Sequence, residues 1–282
     1  MMNLAQLDKK EWRWLSIGAA GLATGCAGWV AWTISGGTWE MALPSALLGG
    51  LIVGPLVVLL GSVNLKLNFL RDQIRRSHTS LREMTNIRPL LDGPPLDYGN
   101  WAVDPFLGKV LAQQIARHKP SHIVECGSGT STVFMAKLLD DESQGGIVTA
   151  LEHLAEYARK TEKKLNDHNI RNKAQVVHAP LEEVIVDGKQ LSWYEITPDH
   201  FDDQQIDMMV VDGPPKSTGP LARYPAAFVL QDYLADDCVI VMDDADRPDE
   251  ESAAYRWAEL LEAEIEYVGG PKGTFLLHRG KC

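Results

Sequence analysis

Residues 123–129 read Ile-Val-Glu-Cys-Gly-Ser-Gly, an apolar run ending in an acid and two glycines, and Thr130-Ser131-Thr132 follow at a helix start. The order strand, bare turn, helix N-terminus constrains the fold more than any other feature of the chain. It sets main-chain N–H groups and a helix dipole where a small polar ligand can lie. Glycine in such a turn admits φ > 0 and a close approach that a Cβ would block. The construction recurs: Ile147–Glu152 is a second apolar run ending in an acid, and Ile206–Val211 runs into Asp212-Gly213-Pro214-Pro215. Further strands are predicted at Ala174–His178 and 239–242, with helical patterns at 132–139, 154–165 and 226–234 between strands. Asp104-Pro105 predicts a capped helix running to about Arg117. Apolar strands alternating with amphipathic helices predict an α/β fold, a Rossmann-like doubly wound sheet. Segments 265–268 and 274–278, joined by Gly269-Gly270-Pro271-Lys272-Gly273, predict a C-terminal antiparallel hairpin.

The N-terminal part obeys a different pattern. No charged residue occurs in 14–34 or in 41–63, and each run has about the 20 residues that a membrane-spanning helix needs. Lys9, Lys10 and Arg13 precede the first run, Lys66, Arg71, Arg75 and Arg76 follow the second, and the turn at 36–40 has no Lys or Arg. Positive flanks stay on the cytoplasmic side, so two spans with both termini and the C-terminal domain in the cytoplasm are predicted. Gly21 and Gly25 give the first run a small-residue face for helix contact, within the chain or between copies. Leu67, Leu70, Ile74, Leu81 and Met84 then recur at helical spacing, which predicts an amphipathic linker helix; pairing between protomers and packing on the domain are both open to it. Pro89, Gly93, Pro94 and Pro95 break it. The predicted division is a membrane anchor over 1–63, a linker over 64–96 and a domain over 97–282.

A net charge of −11 argues against nucleic acid as a partner, while the basic residues between Lys66 and Arg88 suit anionic lipid headgroups. The four cysteines show no metal-type spacing.

Ligands of doubly wound sheets bind at the carboxyl ends of the strands. Gly127, Ser128 and Gly129 are therefore expected to line a ligand, with Thr130 and Ser131 at the helix start and Glu152 placed to accept hydrogen bonds from a ribose. An acid at Glu152 suits NAD equally well. Two features speak against a dinucleotide: Thr132 stands where its fingerprint needs a third small residue, and Glu125 would repel a diphosphate yet suit a cationic ligand. Asp212 and the pair Asp243-Asp244 end neighbouring strands, and three converging carboxylates repel one another unless a cation or protons intervene. Magnesium or another divalent ion suits oxygen-rich sites. The competing reading makes Asp212 a metal-free base, lets Asp243 or Asp244 cap the helix beginning near Pro248, and has Arg247 neutralise the cluster. Tyr98 and Trp101, with Arg223 and Tyr224 before the helix start at Pro225, are candidates for the wall of an acceptor pocket, and for Arg223 and Tyr224 a capping or packing role is equally open. Trp193 and Tyr194, in the long insertion after the third strand, read as buried aromatic anchors.

The stretch from Tyr98 to Arg279 resembles the class I S-adenosylmethionine (SAM) methyltransferases. The likeness to methyltransferase family 24 rests on Glu125-Cys126-Gly127-Ser128-Gly129-Thr130-Ser131-Thr132, Asp212-Gly213-Pro214-Pro215, Asp243-Asp244-Ala245-Asp246-Arg247 and the Trp101 region. The resemblance implies that the glycine turn with Glu125 holds the amino-acid portion of SAM, that Glu152 holds the ribose, and that Leu181 lies near adenine. Catechol-type O-methyltransferases similarly gather metal-binding acids after strands four and five. This chain departs from them in Pro214-Pro215 and in lacking their lysine three residues after the Asp, with Lys216 one position further on. The expected function is that of a membrane-anchored SAM-dependent methyltransferase, methylating an oxygen on a small-molecule, glycan or lipid-linked acceptor at the cytoplasmic face. A membrane-anchored scaffold retaining a SAM-binding fold and a nucleotide-dependent oxidoreductase are the alternatives from sequence.

Overall fold

The computed structural model describes residues 104–141, 145–201 and 204–280, a helix over 58–71, and the helical positions Val30, Leu56 and Ile74. The chain divides into two units, Met1–Arg75 and Arg76–Cys282.

In the first unit the helix over 58–71 runs through the predicted anchor–linker boundary at 63–64 without a break. Val58, Leu59, Leu60, Val63, Leu65, Leu67, Phe69 and Leu70 are all exposed on it, so its apolar side chains are uncovered on every face. Among the described residues no helix is long and apolar enough to cross a membrane. The spans predicted at 14–34 and 41–63, apart from Val30, Leu56 and 58–63, lie outside the described residues, as does the linker beyond Ile74.

The second unit is a mixed α/β domain. Its helices are α1 (Pro105–His118), α2 (Thr130–Asp141), α3 (Ala155–Asp167), α4 (Pro225–Leu230) and α5 (Pro248–Leu261). Its strands are β1 (His122–Cys126), β2 (Ile147–Glu152), β3 (Ala174–His178), β4 (Leu181–Val186), β5 (Lys189–Tyr194), β6 (Ile206–Val211), β7 (Leu234–Asp243), β8 (Glu264–Val268) and β9 (Thr274–Arg279). Seven strands form one sheet in the order β3-β2-β1-β6-β7-β9-β8. The first five run parallel, and β9 is antiparallel to both β7 and β8.

Burial on both faces explains the near-continuous apolar strands. Alternate residues of β7 serve opposite sides: Val239 and Val241 pack with Leu107, Leu111 and Phe134 under α1 and α2, whereas Ile240 and Met242 pack with Trp193, Phe201 and Trp257. Asp104 caps α1 as predicted, its Oδ1 accepting from Phe106 N at 2.8 Å.

Three elements differ from the sequence-based expectation. Helix α4 ends at Leu230, and Leu234 opens β7, which is much longer than 239–242. The C-terminal hairpin forms, but β9 inserts between β7 and β8, an arrangement set by pairing with a distant strand. The insertion after β3 is a β-hairpin of its own, β4 paired with β5. Asp187 (φ 49°) and Gly188 (φ 70°) make its two-residue turn, and Asp-Gly is a favoured sequence for that geometry. The hairpin tip is tied down by Asp187, which accepts from Tyr224 Oη at 2.7 Å and from Arg256 Nε at 3.0 Å.

Candidate active site

Adjacent strands β2, β1, β6 and β7 end at one edge of the sheet, and there the expected residues meet. Gly127 leaves β1 at φ 110°, a conformation that favours glycine. Its N–H donates to Leu151 O at 2.9 Å, and Cys126 O accepts from Asp212 N at 3.1 Å and Gly213 N at 2.6 Å. The turns after β1 and β6 are thus bonded together. A Cβ on Gly213 would lie 2.5 Å from Tyr194 Oη and 3.1 Å from Gly127 Cα, so the two glycines let these turns touch. Tyr194 and Trp193 are fully buried beneath them, as anchors should be.

Glu125 points from β1 into the start of α2. The Ser131 hydroxyl donates to its Oε1, and Thr132 Oγ1 donates to its Oε2 at 2.5 Å. Thr132 Oγ1 in turn accepts from Gly129 N at 2.9 Å, which holds the turn against the helix. Burial dominates the electrostatics of Glu125 and pushes its carboxyl up to about 8, with the charges of Asp212 and Glu152 adding to the rise against the two hydroxyls. At neutral pH, then, this acid is protonated until a cation comes beside it.

Glu152 ends β2 and is buried. Its Oε2 accepts from Ser128 Oγ at 3.0 Å, and its Oε1 accepts from Leu154 N at 3.0 Å with His153 Nδ1 also at 3.0 Å. Ser128 Oγ lies 3.1 Å from Thr161 Oγ1 as well. Thr130 is buried at the helix start and accepts from Lys164 Nζ at 3.5 Å. Leu181, half-buried at the start of β4, packs against the Trp193 side of the core.

Beyond the turn, Asp212, Asp243 and Asp244 do converge, with one oxygen of each within 4.8 Å of the others. At their centre lies Arg223, 4% exposed. Its Nη2 donates to Asp244 Oδ2 at 2.9 Å, to Asp212 Oδ1 at 3.2 Å and to the Asp212 carbonyl, and its Nη1 donates to the Asp243 carbonyl at 2.9 Å. Arg223 therefore neutralises the cluster rather than lining an acceptor pocket. Arg247 joins it, with Nη1 2.8 Å from Asp244 Oδ2 and 3.3 Å from Glu250 Oε1. The expected cap does not form. Arg247 is itself the N-cap of α5 and no side chain bonds there, while Asp244 turns away at φ 60°. Asp243 receives no side-chain bond from Arg223. Burial, with Asp212 and Asp244 nearby, pushes its carboxyl up to about 7. Tyr224 is buried, with its hydroxyl on Asp187 and its ring stacked on Phe228, so it is a packing residue. Tyr98 and Trp101 lie outside the described residues.

This donor set does not fit a resident divalent ion. Asp212 and Asp244, two of the carboxylates such an ion would bridge, are already bridged by a guanidinium, which also takes the nearby main-chain carbonyls. Arg223 stands 11 residues from Asp212, but nothing local in the sequence shows that its guanidinium also reaches Asp243 and Asp244.

The geometry has a counterpart among known families. Residues 124–245 match the family-24 model of a methyltransferase domain. The matched stretch covers less than half of the 282-residue chain. It begins within β1 and ends just after Asp243-Asp244, so the match spans both the glycine turn and the acidic cluster. No curated protein matches the chain. Among solved structures, a putative O-methyltransferase from Klebsiella pneumoniae is 15% identical at a TM-score of 0.50, covering 73% of this chain and 100% of its own. The O-methyltransferase from Bacillus cereus, solved in complex with SAH, is 19% identical at a TM-score of 0.46, over 72% of this chain and 91% of its own. A putative caffeoyl-CoA O-methyltransferase from Staphylococcus aureus is 12% identical at a TM-score of 0.49, over 76% and 98%. At 15% identity the likeness to the Klebsiella pneumoniae structure is one of fold alone.

Proposed function

We propose that this chain is a SAM-dependent methyltransferase acting on an oxygen nucleophile of a small-molecule, glycan or lipid-linked acceptor at the cytoplasmic face of a membrane. The observation that carries the cofactor reading is the pair of buried acids, Glu125 and Glu152, on either side of the Gly127 turn. A pyrophosphate set there would meet buried acids instead of open N–H groups, whereas a ligand with an ammonium at one end and a ribose at the other would meet a partner at each. When bound, SAM supplies a methyl group made electrophilic by the sulfonium sulfur.

The chain's own residues do the rest. Glu125 would hold the ammonium of bound SAM, whose charge favours the ionised acid. Glu152, already oriented by Ser128 and Leu154 N, would accept from the ribose hydroxyls. Asp212, whose side chain is 39% exposed, faces the acceptor and orients its hydroxyl. Asp243, with its carboxyl pushed up to about 7, would take the proton that the acceptor hydroxyl loses. Arg223 keeps Asp212 and Asp244 in place while this occurs.

Membrane attachment is supported by the two charge-free runs, their basic flanks and the apolar helix over 58–71, uncovered on all sides. Calorimetric titration with SAM and with NAD tests the cofactor: SAM should bind and NAD should not, and the reverse defeats the proposal. Profiling metabolites and lipids of a deletion strain should reveal an acceptor lighter by one methylene. Membrane fractionation and a reporter fused after Cys282 should place the protein in the membrane with its C-terminus in the cytoplasm. A soluble protein, or an external reporter, would remove that part.

A further inference from the structure

The acidic cluster is built around a cation that the chain provides for itself. Arg223 reaches the ends of β6 and β7 from the segment before α4 and engages Asp212, Asp243 and Asp244 through side chains or main-chain carbonyls. Its Nε has no hydrogen-bond partner and lies 3.9 Å from Glu250 Oε1, so a fourth carboxylate closes the ring. Burial alone would lower the affinity of Arg223 for its proton, but Asp212, Asp244, Asp243 and Glu250 outweigh it and hold the guanidinium charged. Arg247 and Lys272 add positive charge at the rim, Lys272 Nζ standing 3.9 Å from Asp244 Oδ1.

We infer that Arg223 is the resident cation of this site and excludes divalent metal ions from it. A planar fork fixed by two strand ends cannot step aside as a flexible lysine would. A divalent ion that took the remaining oxygens of the same carboxylates would sit beside a buried unit positive charge, where like charges repel far more strongly than in water. A magnesium ion would further require near-ideal octahedral geometry, while the guanidinium already holds one carboxylate oxygen each of Asp212 and Asp244. The geometry thus assigns methyl transfer here to carboxylates organised by arginine rather than by a metal.

Manganese binding, read by the loss of the free Mn²⁺ electron paramagnetic resonance signal, tests this on the full chain without turnover. Failure of the methyltransferase assignment would therefore leave the test intact. The wild type should leave the Mn²⁺ signal unchanged into the millimolar range. Arg223→Met should acquire one Mn²⁺ site at least about a hundredfold tighter, because a unit charge beside the ion is gone. Arg223→Lys, which keeps the charge, should bind far less Mn²⁺ than Arg223→Met. Tight stoichiometric binding by the wild type overturns the inference, as does a folded Arg223→Met that gains nothing. Where Arg223→Met folds poorly, Mn²⁺ at matched ionic strength should raise its melting temperature and leave that of the wild type unmoved, and a rise in both or in neither counts against the inference.

Discussion

Ser128 Oγ donates to Glu152 Oε2 at 3.0 Å, tying the turn after β1 to the tip of β2 across 24 residues of chain. The bond orients one carboxylate oxygen, while the other is held by Leu154 N. Glu152→Ala removes both the anchors and the acceptor for a ribose. SAM affinity should fall about tenfold or more, since a hydrogen bond to a charged group contributes about 1.5–3 kcal/mol. Ser128→Ala, which loses only the orientation, should cost less. Titration calorimetry measures both, and unchanged SAM binding by Glu152→Ala would refute the ribose assignment.

Glu125 makes stability and binding depend on pH in opposite senses. Its folded value of about 8 lies above its ordinary 4.5, so the native state holds the proton more tightly than the unfolded chain. The stability this contributes is fully present below about pH 4.5 and is lost as the pH rises through about 8. Glu125→Gln carries no such titration, so its stability relative to wild type should grow steadily between those limits. Denaturant melts of both proteins at pH 5, 7 and 9 check the trend, and parallel curves would refute it. SAM binding near neutrality should release a proton, because the ammonium favours the ionised acid. Titrations in two buffers of different ionisation enthalpy count that proton.

Asp243 sets the expected pH dependence of turnover. With its carboxyl near 7, kcat/KM should rise with pH through neutrality and level off above it, as a base must be deprotonated to act. Asp243→Asn should lower kcat by about a hundredfold or more and remove that limb of the profile. A variant that retains the limb would assign the proton transfer elsewhere.

Gly213 and Tyr194 give a packing test free of chemistry. A methyl on Gly213 would meet Tyr194 Oη at 2.5 Å, so Gly213→Ala should destabilise by about 1–3 kcal/mol, the usual range for overpacking. Tyr194 Oη is buried with no hydrogen-bond partner, so Tyr194→Phe should cost little by itself. Combined with Gly213→Ala it should recover part of the loss, since residues in contact do not add independently. Urea unfolding of the four proteins closes the cycle, and simple additivity would show that the hydroxyl is not what the methyl meets.

The amino-acid sequence by itself determined the parallel strands, the acids that end them and the turn at Gly127. Each is written in a few consecutive residues: a short unbroken apolar run, a glycine at positive φ, an acid at a strand tip. The hairpin at β4–β5 carries a local signal in Asp187-Gly188, yet from sequence the segment reads only as a long insertion after the third strand. Tertiary structure alone decided what lies between these pieces. Only the sheet order brings β9 between β7 and β8, because pairing across distant segments leaves no local period. Asp243 and Asp244 stand beside Pro248 like capping residues, yet their partner is Arg223, 20 and 21 residues away. The reason is electrostatic. Carboxylates gathered at buried strand ends need a counter-ion wherever the fold can place one, and the position of that counter-ion is set by packing in space rather than by spacing along the chain.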